Sequence, residues 1–301
     1  MTLGFMLLCI QNYIQPIDSK TQFIIFLSGI ILLGVPHGAA DLLVATRNAD
    51  ASKKVFSKSK FLSIYIARLF LFSSILWLFP VAGIVLFILF ASYHFGETDL
   101  YQFKTDTLIG KLFVVSYGLV ILCVILLHHF DEVKPILQLF QSGKENEALM
   151  NLIRDNRYYI MTISGTIFFI CTFIYFLVKP NLGYNEKGEF LIRFAMILFV
   201  LFNLPMLLGF TFYFVVWHSV LSIKNIVQYL RNNDAYSQIT IVKQILLYSG
   251  LAIAGIVMFG LTGFMVIDSN AIAAYTFIGL AVLTAPHMQI MHDMYNSLRL
   301  R

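Results

Sequence analysis

The sequence predicts an all-α, polytopic transmembrane helix bundle of eight or nine spans. Three observations predict it. Apolar residues make up 59% of the 301-residue chain and charged residues only 12%, against about 25% charged in soluble domains. The mean hydropathy is +0.80, far above what a disordered chain shows. The apolar residues also gather into runs of roughly 20, the length a helix needs to cross the hydrocarbon layer.

In chain order, such runs occupy 22–44, 60–79, 81–102, 108–130, 158–179, 190–209, 211–231, 243–267 and 272–296. Pro36 interrupts the first and Pro205 the sixth, so both should bend there, because proline lacks the N–H that an interior helical position donates. Only Pro80 separates the second run from the third, which predicts a tight helical hairpin. Residues 1–15 are apolar but short, and read as an interfacial or re-entrant piece. The stretch 131–157 is the one sizeable polar region, and its spaced Ile, Leu and Phe predict an amphipathic helix on the outer surface. With no repeat of solenoid length, 1–301 reads as a single integral membrane domain.

The charge balance sets topology. A net charge of +5 could suit nucleic acid, but here it follows the positive-inside rule. Placing the link after the first span in the cytoplasm puts fifteen Lys and Arg on that side, against Lys20, Lys134, Lys144, Arg154 and Arg157 on the other. The expectation is a multi-pass protein of the cell (inner) membrane, N-terminus outside and C-terminus cytoplasmic, with lipid as its surroundings and no nucleic-acid partner. The N-terminal MTLGFMLLCI has no basic n-region, which argues against a removable signal peptide. Cys9, Cys123 and Cys171 are odd in number and form no CxxC pair, so neither a disulfide framework nor a thiolate metal motif follows.

Histidine carries the functional signal. His128 and His129 sit at the outer end of the fourth span and read as interfacial. His37, His94, His218 and His287 each lie in an apolar run, in four different spans that all run from outside to inside. At 1.5 Å per residue, three of them fall about 15 residues into their spans and His218 about seven. Ionisable groups inside spans are expensive and usually functional, and four imidazoles at related depth point to a shared metal site. Imidazole suits zinc, copper, iron and nickel, so the histidines alone leave the metal open. Proton relay and substrate hydrogen bonding are the competing uses.

Carboxylates accompany two of these histidines. Asp41 follows His37 by four residues and Glu97 follows His94 by three, spacings that share a helix face. Each is therefore a candidate to accept the second ring N–H of a ligating histidine, or else a helix-end residue nearing water, as Asp99 reads. Gly34, Gly38 and Gly96 flank the same two motifs and permit close helix approach. Tyr93, Phe95, Tyr213, Phe214 and Trp217 cluster beside two of the histidines and would line a cavity for an apolar substrate.

The pieces PHGAAD (36–41), SYHFGETD (92–99), YFVVWHS (213–219) and APHM (285–288) resemble, in order and across nearly the whole chain, the Brp/Blh family of membrane β-carotene 15,15'-dioxygenases. The resemblance implies Fe(2+) as cofactor, β-carotene and O2 as substrates, and cleavage of the central double bond to two retinal molecules that supply a microbial rhodopsin. Residue by residue, His37, His94 and His218 fall on family metal positions. The family often has a further histidine one turn after the WHS motif, where this chain has Ser222. His287, at matching depth and aimed by Pro286, is the expected fourth ligand. Alternatives from other classes are a metal-dependent membrane oxygenase or hydrolase for another lipid, and a transporter using the intramembrane His and acids.

Overall fold

The computed structural model describes residues 1–52, 55–139, 147–179, 183–231, 237–263 and 272–299, and the described elements are helical throughout, with no strand. In order they are α1 (Thr2–Cys9), α2 (Ser19–Gly29), α3 (Val35–Ala39), α4 (Asp41–Ala51), α5 (Lys58–Leu78), α6 (Pro80–Asp99), α7 (Leu108–Cys123), α8 (Phe130–Leu139), α9 (Glu147–Val178), α10 (Tyr184–Asn203), α11 (Met206–Phe210), α12 (Val220–Arg231), α13 (Gln238–Gly263) and α14 (Ile272–Arg299). Among the described residues, seven helical stretches are long and apolar enough to cross a membrane: Ser19–Asp50, Lys58–Leu78, Pro80–Asp99, Leu108–His128, Glu147–Val178, Met206–Arg231 and Gln238–Gly255.

The two prolines act on the backbone differently. Before Pro36 the backbone widens into a π-helical turn, Ile30–Gly34, and Pro36 then sits in the first turn of α3, where its missing N–H is tolerated. Pro205 breaks the chain outright. Leu204 is driven to extended geometry (φ −99°, ψ 147°), as a residue preceding proline tends to be. Helix resumes at Met206 and runs on through the π-helical stretch Thr211–Ser219 into α12. The expected boundary between the sixth and seventh runs, near 210, therefore falls at 204–205. The stretch 131–157 is likewise divided: α8 holds its first part, residues 140–146 lie outside the described residues, and from Glu147 onward it is the start of the 32-residue α9.

The chain falls into two compact units, Met1–Phe26 with Ala91–Trp217, and Leu27–Phe90 with His218–Arg301. In the first, α7 packs along α9. Phe113 stacks on Tyr175 at 4.7 Å between ring centroids, and Phe168 lies 4.4 Å from Phe194. Against α7, α6 comes close enough that a Cβ on Gly96 would collide with the Val114 carbonyl, and one on Gly118 with the Ser92 carbonyl. Two glycines thus let a pair of helices approach backbone to backbone on either side of His94. In the second unit α14 packs on α4 and α5, and α13 on α3. Its α5–Pro80 corner is the tight hairpin expected: a Cβ on Gly83 would meet the Leu76 Cα at 2.8 Å.

The break at Pro205 leaves carbonyls to be satisfied in the first unit. Leu201 has no N–H four residues on, because that residue is proline; its carbonyl accepts from His129 Nε2 at 3.1 Å. The Met206 N–H is taken by Glu132 Oε2 at 3.1 Å, and the Phe202 carbonyl accepts from His128 Nε2 at 3.2 Å. The interfacial reading of these two histidines gains a specific content: they cap a proline-broken helix.

Candidate metal centre

The four histidines of the apolar runs are all buried: His37 at 4% exposure, His94 at 2%, His218 at 0% and His287 at 6%. Each stands on a different helical element, and three of those elements are irregular. His37 is on the short α3, between the π-turn and a kink at Ala40 (φ −74°, ψ −8°). His218 closes the π-helical stretch, a local widening that often occurs at functional sites. His287 follows Pro286 inside α14. His94 lies on the regular α6.

Among the described residues, His37, His94 and His218 form a group that could hold a metal ion, each offering a ring nitrogen within 4.8 Å of the others'. The rings of His37 and His218 stand edge to face at 5.5 Å between centroids, and those of His37 and His287 at 4.8 Å. One turn beyond His218, Ser222 is fully buried.

Asp41 has a partner the sequence spacing did not indicate. Its Oδ1 accepts from His287 Nδ1 at 2.7 Å, and its Oδ2 accepts from the Tyr65 hydroxyl at 3.1 Å. The four-residue spacing from His37 assumed unbroken helix, and the turn at Ala40 ends that assumption: α3 stops and α4 begins at Asp41 itself. A carboxylate on one imidazole nitrogen fixes the tautomer, while His287 itself stands outside the group of three that could hold a metal. Glu97, fully buried, accepts from the Tyr93 hydroxyl at 3.1 Å.

Asp99 is the last residue of α6 and also an anchor. Its Oδ2 accepts from Tyr117 at 2.8 Å, Trp217 Nε1 at 3.0 Å and Tyr213 at 3.1 Å. The polar tips of two expected lining residues are thereby committed, and Trp217 is held next to His218 in the chain. Phe95 packs edge to face on Tyr213 at 5.2 Å and lies 6.2 Å from Phe214. Of the five aromatics, Trp217 borders a small cavity of about 80 Å³ that also meets Asp99, Tyr117 and Arg193.

Fold and site together define a helical protein with helices long and apolar enough to cross a membrane and a buried histidine group that could hold a metal. The sequence matches the model of the β-carotene 15,15'-dioxygenase family over residues 28–295, and the chain belongs to that family. It is 24% identical over 268 residues to a β-carotene 15,15'-dioxygenase from uncultured marine bacterium 66A03, an alignment covering 88% of this chain and 91% of the relative. No solved structure matches.

Proposed function

We propose that the chain is an Fe(II)-dependent β-carotene 15,15'-dioxygenase that splits the central double bond of β-carotene with O2 into two all-trans-retinal molecules. The observation that carries this is the buried histidine group, in a chain of this family, with a carboxylate already seated on the neighbouring His287. Four imidazoles, His37, His94, His218 and His287, are the ligands on this reading. Such a nitrogen set suits Fe(II) while leaving positions open, and zinc–nitrogen bonds of about 2.0–2.1 Å set the scale for the distances.

Iron, when bound, supplies the activation of O2. The reaction balances without another reductant: the C=C bond breaks, each carbon takes one oxygen atom, and dioxygen is reduced as the two carbons are oxidised. The protein's own residues do the rest. Asp41 orients His287, Glu97 supports the α6 side through Tyr93, and Asp99 holds Trp217 beside His218. Tyr93, Phe95, Tyr213, Phe214 and Trp217 line the hydrocarbon's path. A substrate without polar groups is selected by tunnel length and shape, and a carotenoid's length is comparable with the ~30 Å hydrocarbon layer.

On the same reading, 1–301 is one multi-pass domain of the cell membrane with eight or nine spans and a cytoplasmic C-terminus. Segment 131–157 lies on the outer side, and the retinal feeds a microbial rhodopsin. The test is iron analysis of the detergent-purified protein together with product identification from β-carotene. Retinal formation that scales with bound iron supports the proposal, and an iron-loaded protein that leaves β-carotene intact contradicts it.

A further inference from the structure

A cavity of about 310 Å³ opens in the second unit among α4, α5 and α14, within the size range of ligand pockets. Its polar lining is Asn48, Tyr65, Arg68, Gln289 and Asp293. Arg68 stands ten residues into the 21-residue α5, about 15 Å from its start, and makes no ion pair among the described residues. A guanidinium at that depth is expensive and calls for a polar partner.

Resting on the dioxygenase reading above, we propose that this cavity receives the aldehyde end of the retinal product. β-Carotene has no oxygen and gains nothing from such a lining. Cleavage creates a carbonyl, an acceptor with no hydrogen to donate. The Tyr65 hydroxyl already donates its hydrogen bond to Asp41, and the Gln289 amide donates to Asp293 at 3.3 Å. Beside the Asn48 amide, Arg68 with its five N–H groups is the principal donor of the lining. Arg68 and Asp293 leave the lining with no net charge, which favours a neutral carbonyl over a carboxylate or phosphate. Tyr65 is both cavity wall and partner of Asp41, which holds His287. Hydrogen-bonding groups thus run without a gap from the site where the aldehyde forms to the cavity that takes it.

The experiment is equilibrium binding of all-trans-retinal, retinoic acid and β-carotene to the full chain in lipid nanodiscs, which needs no turnover. Arg68→Met should weaken retinal binding about 10- to 100-fold, the loss of one charge-assisted hydrogen bond, and leave β-carotene binding unchanged. Asp293→Asn should tighten retinoic acid relative to retinal, because the lining becomes positive. If Arg68→Met fails to insert, Arg68→Gln serves, with a smaller loss confined to retinal. Unchanged retinal affinity in the Arg68 variants, or an equal loss for β-carotene, overturns the inference. A wild type that binds retinal in this Arg68-dependent way but forms none from β-carotene overturns the dioxygenase reading instead.

Discussion

His287 and Asp41 lie 246 positions apart and share a 2.7 Å hydrogen bond between Nδ1 and Oδ1. Both residues are buried. Loss of such a carboxylate partner typically costs about 10- to 100-fold in metal affinity or activity. Asp41→Asn is therefore expected to bind iron more weakly and turn over more slowly by that factor, without becoming inert. Glu97→Gln should fall in the same range. Iron titration beside initial rates measures both effects; wild-type values in either variant would reduce that carboxylate to a helix-end residue.

His37→Ala and His94→Ala are expected to lose iron binding and cleavage altogether while still inserting into the membrane. Each removes one imidazole of a group of three in which one ring nitrogen per histidine lies within 4.8 Å of the others'. Full iron content and full activity in either variant would contradict a shared site. For His287 the direct observation is a metal-bound structure: a ring nitrogen farther than about 4 Å from the metal, well beyond the ~2.0–2.1 Å scale of imidazole ligation, would leave three histidines and water as the ligand set.

Asp99→Leu is expected to destabilise the protein. One carboxylate oxygen satisfies three donors, two of them on the buried Tyr117 and Tyr213, and a buried donor left unpaired costs about 1–3 kcal/mol. Thermal unfolding in detergent should show the loss, with Asp99→Asn, which keeps an acceptor, falling between Leu and wild type. Equal melting temperatures for Leu and wild type would mean the three donors find other partners.

His129→Leu should also lower the melting temperature, by the equivalent of about 1–3 kcal/mol, because the Leu201 carbonyl loses its donor and Pro205 cannot replace it. Iron bound per folded molecule should stay at the wild-type level. A drop in iron stoichiometry without a stability change would move His129 from helix cap to functional site.

Much of the helical frame is legible in the sequence, because it depends on local physics. Apolar run length, a lone Pro80 between two runs and a Pro205 with no N–H act within a few residues, and the hairpin and the break stand where they were expected. The buried histidines are legible for the same reason, as polar groups in apolar runs. Asp41's partner is not. A turn at one alanine undoes the helical spacing, and the true partner is supplied by α14. Asp99 is hidden similarly: its donors lie 18, 114 and 118 positions away, distances at which spacing carries no information. The π-helical stretch bearing His218 also leaves no mark in hydrophobic periodicity, although Pro205 just before it marks irregular backbone.

The central claim is symmetric, iron-dependent cleavage. It is tested most directly by supplying β-carotene and ¹⁸O₂ to the purified, Fe(II)-loaded protein and analysing the products by mass spectrometry, with His37→Ala as control. The account predicts all-trans-retinal as the sole cleavage product, labelled on its carbonyl oxygen, and none from His37→Ala. Unequal fragments, unlabelled retinal, or retinal formed equally by His37→Ala would contradict it.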